Sequence, residues 1–280
     1  MKCPLCANDL QITAEICPHC ASPALYPNVN AAAQKEDVDA LEKRYERAKK
    51  DAMSRGCDAV VQTLETDAAA SKAVIARPLG EAQRLATSDK QGYSTYYQLV
   101  HAQQRLPDGD EWDALRRQAD EALFPGFKEK IRFAALSMDG VGLSNYGEMS
   151  VVLRDAMIRH RASVFEENSA LFVKNRKVKD LARAVRGYRA TWADRAKLCV
   201  AKLAGGLTPA TRPDDLSGLL LRQGATSADD AFVEVHVWGP MTARTVERVI
   251  AVQSAKRRLR AVLRELRRQL QQLGVDFEER

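Results

Sequence analysis

The chain has 280 residues, of which 45% are hydrophobic and 29% are charged, and its formal net charge is +6. This composition is typical of an ordinary globular protein with a substantial core. No run of 18 apolar residues is present, which argues against a transmembrane helix, and the start of the chain lacks the apolar segment of a secretory signal. We therefore expect a cytoplasmic protein, and the positive charge favours an anionic partner such as nucleic acid or a nucleotide.

Residues 1–25 are expected to form a zinc ribbon, because they carry two Cys-x-x-Cys pairs. The cysteines are Cys3, Cys6, Cys17 and Cys20. Four thiolates can close a tetrahedral Zn²⁺ site and leave no open coordination position, so the metal is expected to be structural. His19 lies between two ligands, but four cysteines already satisfy the ion. Lys2 is the ribbon's only basic side chain besides this histidine, which leaves little charge there for binding phosphate.

Residues 26–72 are expected to form a proline-containing linker and then an amphipathic helix from about Asp37. Gly56 is expected to bend or end this helix. Two interpretations stay open: the helix packs on the main domain, or residues 37–64 form a short coiled coil that makes a homodimer. The apolar positions are Val38, Leu41, Tyr45, Ala48 and Ala52.

Residues 73–280 are expected to form the main domain, in which short strands alternate with helices. The sequence predicts strands over 73–77, 131–138, 149–154, 162–166, 232–238 and 246–252. It predicts helices over 92–104, 111–123, 177–203 and from Ser254 to Gly274. The fold class is therefore α+β, with short strands in split sheets and long amphipathic helices behind the metal module.

The segment from Phe232 to Trp238 is the best candidate for an active strand. Alternation places its three valines on the core face and brings Glu234 and His236 together on the opposite face, flanked by the two aromatic residues. A carboxylate beside an imidazole suits proton transfer or binding of a ribosyl ligand. The alternative is the solvent-facing side of an edge strand.

A second candidate is the stretch from residue 142 to residue 169. Turn-forming residues lead into one strand, and the next strand ends in Glu166-Glu167-Asn168-Ser169. Polar side chains at strand ends are common in binding sites. A solvated turn or a helix start would give the same pattern, and both interpretations stay open.

Three segments together resemble bacterial ADP-ribosyltransferase-type toxin domains. They are Tyr146-Gly147-Glu148 leading into Val151-Val152-Leu153, the strand 232–238 with Gly239-Pro240, and the strand 246–252. The likeness covers residues 73–255 and implies an NAD cleft between two small sheets.

In that superfamily a late strand carries a catalytic glutamate, and Glu234 is the matching residue here, with His236 beside it. The resemblance implies NAD contacts from Arg77, Ser94, Tyr96 and Tyr146. It also implies that Glu234 polarises the 2′-hydroxyl of the nicotinamide ribose as nicotinamide leaves. The sequence departs from the family at Phe232, where many members have Glu or Gln.

The last predicted helix combines a leucine stripe with many arginines, among them Arg264, Arg267 and Arg268. A helix docked on the sheet, with its cations in water, explains the pattern. The same arginines can also face nucleic acid or a protein partner. The sequence therefore supports two hypotheses: an ADP-ribosyltransferase-like enzyme of a toxin or defence type, and a non-catalytic zinc-ribbon adaptor.

Overall fold

The computed structural model describes residues 2–3, 5–11, 14–93, 111–176, 185–226, 228–251 and 257–280. The α+β class is confirmed, although the strands join in one eight-stranded sheet and not in split sheets. The strands are β1 (Lys72–Arg77), β2 (Ile131–Ser137), β3 (Met149–Leu153), β4 (Ala162–Phe165), β5 (Arg189–Thr191), β6 (Glu234–Trp238), β7 (Val246–Ala251) and β8 (Asp276–Glu279). Their order across the sheet is β5-β4-β6-β2-β1-β3-β7-β8.

All neighbouring strands are antiparallel except β7 and β8, which are parallel. The helices are α1 (Pro27–Ala32), α2 (Lys35–Ser54), α3 (Asp58–Ala70), α4 (Leu79–Leu85), α5 (Glu111–Leu123), α6 (Asp155–Ile158), α7 (Ser169–Arg176), α8 (Arg195–Leu203), α9 (Pro213–Leu220) and α10 (Arg257–Gln272). No helix in the described ranges is long and apolar enough to cross a membrane.

The six predicted strands all form, and the helix predicted over 111–123 is confirmed as α5. The single helix predicted over 177–203 is wrong, because β5 occupies residues 189–191 and α8 begins only at Arg195. Gly187 explains the break: its φ is 75°, and a Cβ there would lie 2.8 Å from the backbone of Ala40. Most of the helix predicted over 92–104 lies outside the described residues. Ser254, the predicted start of the last helix, lies outside them as well.

The two faces of the sheet differ in chemistry. One face is apolar and packs against α4, α8 and α10; its buried members include the three valines of β6. On the other face, strand register places Val74, Ala135 and Glu234 in one row. His236 follows two residues along β6 and therefore shares the face of Glu234.

The segment between ribbon and main sheet is held by specific contacts. Asn28 of α1 donates to the backbone oxygen of His236 at 2.9 Å and to Ser163 Oγ at 3.2 Å. Asp37 of α2, which is 3% exposed, pairs with Arg189 of β5 at 2.7 Å. Gly56 ends α2, as the sequence indicates, with a φ of 74°.

The apolar side of α2 and α3 packs inside the chain. Tyr45 and Leu64 join a buried cluster with Val200 of α8 and Leu216 of α9. Leu41 lies in the main core beneath the sheet. This packing favours the first interpretation of the helix over 37–64, in which it docks on its own main domain.

Candidate active site and metal centre

The four ribbon cysteines lie together, with all four Sγ atoms within 4.8 Å of one another. Cys6 Sγ is 3.6 Å from Cys17 Sγ, and Cys3 Sγ is 3.8 Å from Cys20 Sγ. Zinc–sulfur bonds of about 2.3 Å in a tetrahedron place sulfurs roughly 3.8 Å apart. The cluster therefore fits one metal ion held by four thiolates.

The two cysteine pairs share one local backbone conformation. Ala7 N donates to Cys3 O, and Ala21 N donates to Cys17 O, both at 2.9 Å. Ala7 and Ala21 have φ values of 58° and 54°, in the left-handed region. Alanine adopts this region at a cost of roughly 1–2 kcal/mol. The same turn therefore occurs after each cysteine pair, and the two turns direct both pairs of sulfurs towards one point.

Two of the four ribbon thiols, Cys3 and Cys20, have a pKa lowered towards the metal-binding thiolate form. The backbone N–H of Cys6 is the main cause that lowers the pKa of Cys3 to about 6. Ser22 Oγ lies 3.1 Å from Cys20 Sγ and is the main cause that lowers the pKa of Cys20. Burial raises the pKa of Cys17 to about 11, so its deprotonation depends on the charge of a bound ion.

Glu234 is the centre of a second, buried polar cluster and is 1% exposed. Its Oε2 accepts from the backbone N–H of Ser169 at 3.1 Å and lies 3.0 Å from His236 Nε2. Its Oε1 lies 3.1 Å from Nη1 of Arg116 on α5. Because an ionised carboxylate only accepts, His236 Nε2 carries the proton in this arrangement.

The ion pair fixes the charges of the cluster. Burial opposes ionisation of Glu234, but the charge of Arg116 and the hydrogen bond from His236 outweigh it and lower the pKa of Glu234 to about 2. Burial also opposes the charge of Arg116, yet Glu234 and Asp120 raise its pKa above the usual range. Both groups are therefore ionised at neutral pH. The Arg116 side chain is 20% exposed and that of Glu234 1%, so Arg116 is the partner that lies nearer to solvent.

Aromatic rings enclose His236. Phe124 and Phe133 meet its ring edge-on with centroid distances of 4.7 and 5.4 Å, and Phe165 stacks at 6.1 Å. These rings come from the end of α5, from β2 and from β4. Their apolar surfaces exclude water from the His236–Glu234 hydrogen bond and strengthen it.

The flanking aromatics expected from the sequence contribute differently. The ring of Phe232 meets the ring of Tyr146 edge-on with a centroid distance of 6.5 Å, and Trp238 packs against Phe127 with a centroid distance of 5.4 Å. The edge-strand alternative is wrong, since β6 lies between β4 and β2. The alternation of the strand itself is confirmed: valines on one face, Glu234 and His236 on the other.

Tyr146 lies at the outer side of the cluster, in the loop before β3, and is half-buried. Its pKa is raised to about 12, chiefly by burial; Arg116 lowers it, and Asp230 and Glu234 raise it further. The phenol is therefore a neutral donor at physiological pH, placed within electrostatic reach of these three charges.

Two side chains anchor the neighbouring loops. Asn168 Oδ1 accepts from Ala170 N at 3.0 Å and so caps the first turn of α7, which leaves Ser169 N–H for Glu234. Asp230 Oδ1 accepts from Asn145 Nδ2 at 2.9 Å and from Gly224 N at 2.8 Å. Both residues are 1% exposed.

Lys202 joins the two strand ends beneath the cluster. Its ammonium donates to Glu166 O at 2.6 Å and to Phe232 O at 2.9 Å. These carbonyls close β4 and precede β6, so one side chain sets the spacing of the segments that carry Ser169 and Glu234. Burial lowers the pKa of Lys202, and Glu166 opposes that change.

The other predicted NAD contacts are distributed unevenly. Arg77 lies on the opposite face of the sheet from Glu234, with Nε 3.3 Å from Glu81 and its guanidinium over Tyr93. Ser94 and Tyr96 lie outside the described residues. Of the predicted contacts that the structure describes, Tyr146 is the one close enough to Glu234 for that carboxylate to raise its pKa.

Arg116 and Asp230 were missed by the sequence analysis, whereas Asn168 and Ser169 lay in the polar strand end that it singled out. Nothing in the charged helix 111–123 distinguishes Arg116 from its neighbour Arg117 before the fold is known. The spacing of four to Asp120, followed by Phe124 one turn later, is the only local sign of an inward face.

No protein-family model matches this chain, and no curated protein shows significant similarity to it. The resemblance to ADP-ribosyltransferase-type toxin domains thus has no family match behind it.

Proposed function

We propose that the protein is an ADP-ribosyltransferase-like enzyme of a toxin or defence type, which uses NAD and depends on Glu234. One observation carries this proposal. Glu234 is an ionised carboxylate, 1% exposed, held by three donors among aromatic rings and with the Tyr146 hydroxyl nearby. Such a group is far more typical of a reaction site than of an open sheet edge.

The chemistry that suits this carboxylate is loss of nicotinamide from NAD. The bond between C1′ of the ribose and the nicotinamide nitrogen breaks, and nicotinamide leaves with the bonding electron pair. A nucleophile of the acceptor, or water, then bonds to C1′ and gives up its proton. Positive charge develops on the ribose meanwhile, and a fixed carboxylate in a water-poor site stabilises such charge strongly.

Each residue has a defined part in this proposal. Glu234 Oε1 accepts one hydrogen bond from the described residues, that of Arg116, and so can accept a second one from the 2′-hydroxyl of the ribose. His236 and the Ser169 N–H hold Oε2 in place. Asp120 and Asp230 add two buried carboxylates around Arg116 and Tyr146, and their negative charge favours the cationic nicotinamide ring.

Labelled NAD tests the proposal directly. The protein is incubated with cell extract and NAD carrying one label in the nicotinamide and another in the adenylate, and both nicotinamide release and macromolecular labelling are scored. We expect Glu234→Gln to lower both by at least about a hundredfold, with Glu46→Gln, an exposed site on α2, as the matched control. Unchanged turnover by a folded Glu234→Gln variant, or no turnover by the native protein, would remove the assignment.

For the ribbon we propose zinc as the resident ion. A tetrahedral set of four thiolates, without an open position, is the typical environment of structural Zn²⁺. The ion would hold Cys3, Cys6, Cys17 and Cys20 together and thereby fold the first 25 residues.

The outer side of α10 favours a second candidate function, a nucleic-acid-binding adaptor. Its leucines at 263, 266 and 270 are buried at 0–2%, whereas Arg264, Arg267 and Arg268 are exposed. Salt-sensitive binding to DNA or RNA is then expected, unaffected by Glu234→Gln and lost when the three arginines become glutamine. Glutamine at Arg47, Arg117 and Arg159 is the charge-matched control. No binding at low salt excludes the adaptor.

A further inference from the structure

Three buried polar atoms on the segments that adjoin Glu234 lack a hydrogen-bond partner within the part of the chain that the structure describes. They are Asn168 Nδ2, Ser169 Oγ and Asp230 Oδ2, and the three residues are 1%, 0% and 1% exposed. An unpaired buried polar group destabilises a folded protein. Because folded proteins rarely accept such groups, a set of three on adjoining segments points to a ligand that completes them.

Each side chain is fixed at one end and unpaired at the other. Asn168 Oδ1 is bound to the first turn of α7, so its amide nitrogen is the unpaired end. Asp230 Oδ1 is bound to Asn145 and Gly224, so Oδ2 is the unpaired oxygen. Ser169 uses its backbone N–H on Glu234 and keeps its hydroxyl.

These groups lie on segments that meet at Tyr146. Asp230 Oδ1 accepts from Asn145, the residue before Tyr146, at 2.9 Å. The Asn168 side chain lies close enough to the Tyr146 hydroxyl to lower its pKa as a donor, although Asn168 Nδ2 has no partner at normal hydrogen-bond geometry. Ser169 is adjacent to Asn168 in the chain and lies 3.1 Å from Glu234 through its backbone nitrogen. Tyr146 and the 20%-exposed Arg116 form the boundary of this group towards solvent.

The set of donors and acceptors selects the ligand chemistry. Asn168 Nδ2 needs an acceptor, Asp230 Oδ2 needs a donor, and Ser169 Oγ serves as either. A phosphate or carboxylate would satisfy Asn168 but would meet the like charges of Asp230 and Glu234. An amine would satisfy Asp230 but not Asn168. Hydroxyl groups donate and accept at once, so a ligand with two adjacent hydroxyls supplies both the donor and the acceptor that these residues need.

We propose that Asn168, Ser169 and Asp230 bind the paired 2′- and 3′-hydroxyls of a ribosyl ligand next to Glu234. The inference rests on the proposed function in taking NAD as the source of that ribose. It concerns binding, however, which can be measured without turnover.

The test compares nicotinamide riboside with its 2′,3′-dideoxy analogue by titration calorimetry on the full chain. We expect the analogue to bind at least about tenfold more weakly, because it leaves the buried groups unpaired. Asp230→Asn and Asn168→Asp each exchange only the unpaired end, since the bound oxygen is retained. Each should weaken riboside binding at least about tenfold and reduce the preference over the analogue.

Controls separate recognition from folding. Asp39→Asn, an exposed change on α2, should leave the affinity unchanged, and thermal unfolding reports whether each variant is folded. If a variant in the cluster does not fold, Ser169→Ala removes only a hydroxyl and keeps the N–H on Glu234.

The outcomes also separate this inference from the proposed function. Selective riboside binding without NAD turnover supports the ribose site and excludes the transferase. NAD turnover with equal affinity for riboside and analogue, or with affinity unaffected by folded variants of all three residues, overturns the ribose site and leaves the transferase. Absence of measurable riboside binding overturns the ribose site as well.

Discussion

Arg116 and Glu234 are 118 positions apart in the chain, yet their side chains meet at 3.1 Å in the interior. The Glu234 side chain is 1% exposed and the Arg116 side chain 20%, so the carboxylate is buried in the sheet and the guanidinium is its counter-ion on the side nearer to solvent. Removing one partner of a buried pair leaves an uncompensated charge, and this asymmetry makes the pair easy to test.

Arg116→Met should destabilise the fold by about 3 kcal/mol, because the carboxylate of Glu234 then lies buried without its counter-ion. Arg117→Met, on the exposed side of α5, should change the free energy of unfolding by less than about 0.5 kcal/mol. Urea unfolding at pH 7 measures both. Equal effects of the two variants would contradict the role given to the ion pair.

The low pKa of Glu234 predicts a defined acid sensitivity. Its folded pKa of about 2 lies below the ordinary value of 4.5, so the stabilisation is fully present above about pH 4.5 and is lost as pH falls towards 2. The contribution amounts to about 3 kcal/mol. In Glu234→Gln this part of the pH dependence of the unfolding free energy should disappear, whereas Glu46→Gln should retain it.

Metal content should depend on the cysteines and not on the histidine between them. We expect one zinc ion per chain, lost in Cys17→Ser and retained in His19→Ala, because four thiolates already fill a tetrahedron. Elemental analysis of the purified protein measures this. Loss of zinc in His19→Ala would mean that an imidazole replaces one of the thiolates.

Lys202→Met should leave two strand-end carbonyls without their donor and should destabilise the protein by about 2 kcal/mol. Lys174→Met, an exposed change on α7, is the control. Amide exchange at Ser169 gives a second readout: we expect it to accelerate in Lys202→Met, since the spacing of β4 and β6 no longer holds its N–H on Glu234. Unchanged exchange at Ser169 would mean that Lys202 does not position the Ser169 N–H against Glu234.

Gly147→Ala should be strongly destabilising, by more than about 3 kcal/mol. Gly147 has a φ of 142°, and a Cβ there would overlap the backbone of Arg77 and Pro78. Gly205→Ala, where a Cβ meets no atom within 4 Å, should be nearly neutral. Thermal unfolding of the pair checks whether the turn that presents Tyr146 depends on this close approach.

The sequence predicted well those elements whose pattern is local. The alternation in β6 identified the faces of Glu234 and His236, because a half-apolar strand has a period of two wherever it lies in a sheet. The two unpredicted strands, β5 and β8, are the edges of the sheet. Both are short and carry charged residues, as edge strands usually do, and therefore lack the apolar signal that reveals inner strands.

The cluster around Glu234 was predictable only in part, for a physical reason. Asn168 and Ser169 could be predicted because they are polar residues that follow the end of a strand. Arg116 and Asp230 become partners of the cluster only through tertiary packing, and an arginine in an amphipathic helix has the same local pattern whether it ends in solvent or on a buried carboxylate.

The position of β6 between β2 and β4 has a consequence for how the chain matures. Both neighbours are complete by Phe165, but the strand that fills the gap begins only at Glu234. The sheet therefore closes through pairing between segments that lie far apart in the sequence, and such non-local pairing is slow. A chain that ends before Glu234 thus contains Arg116, Tyr146 and Asn168 but lacks the carboxylate that Arg116 and the Ser169 N–H bind.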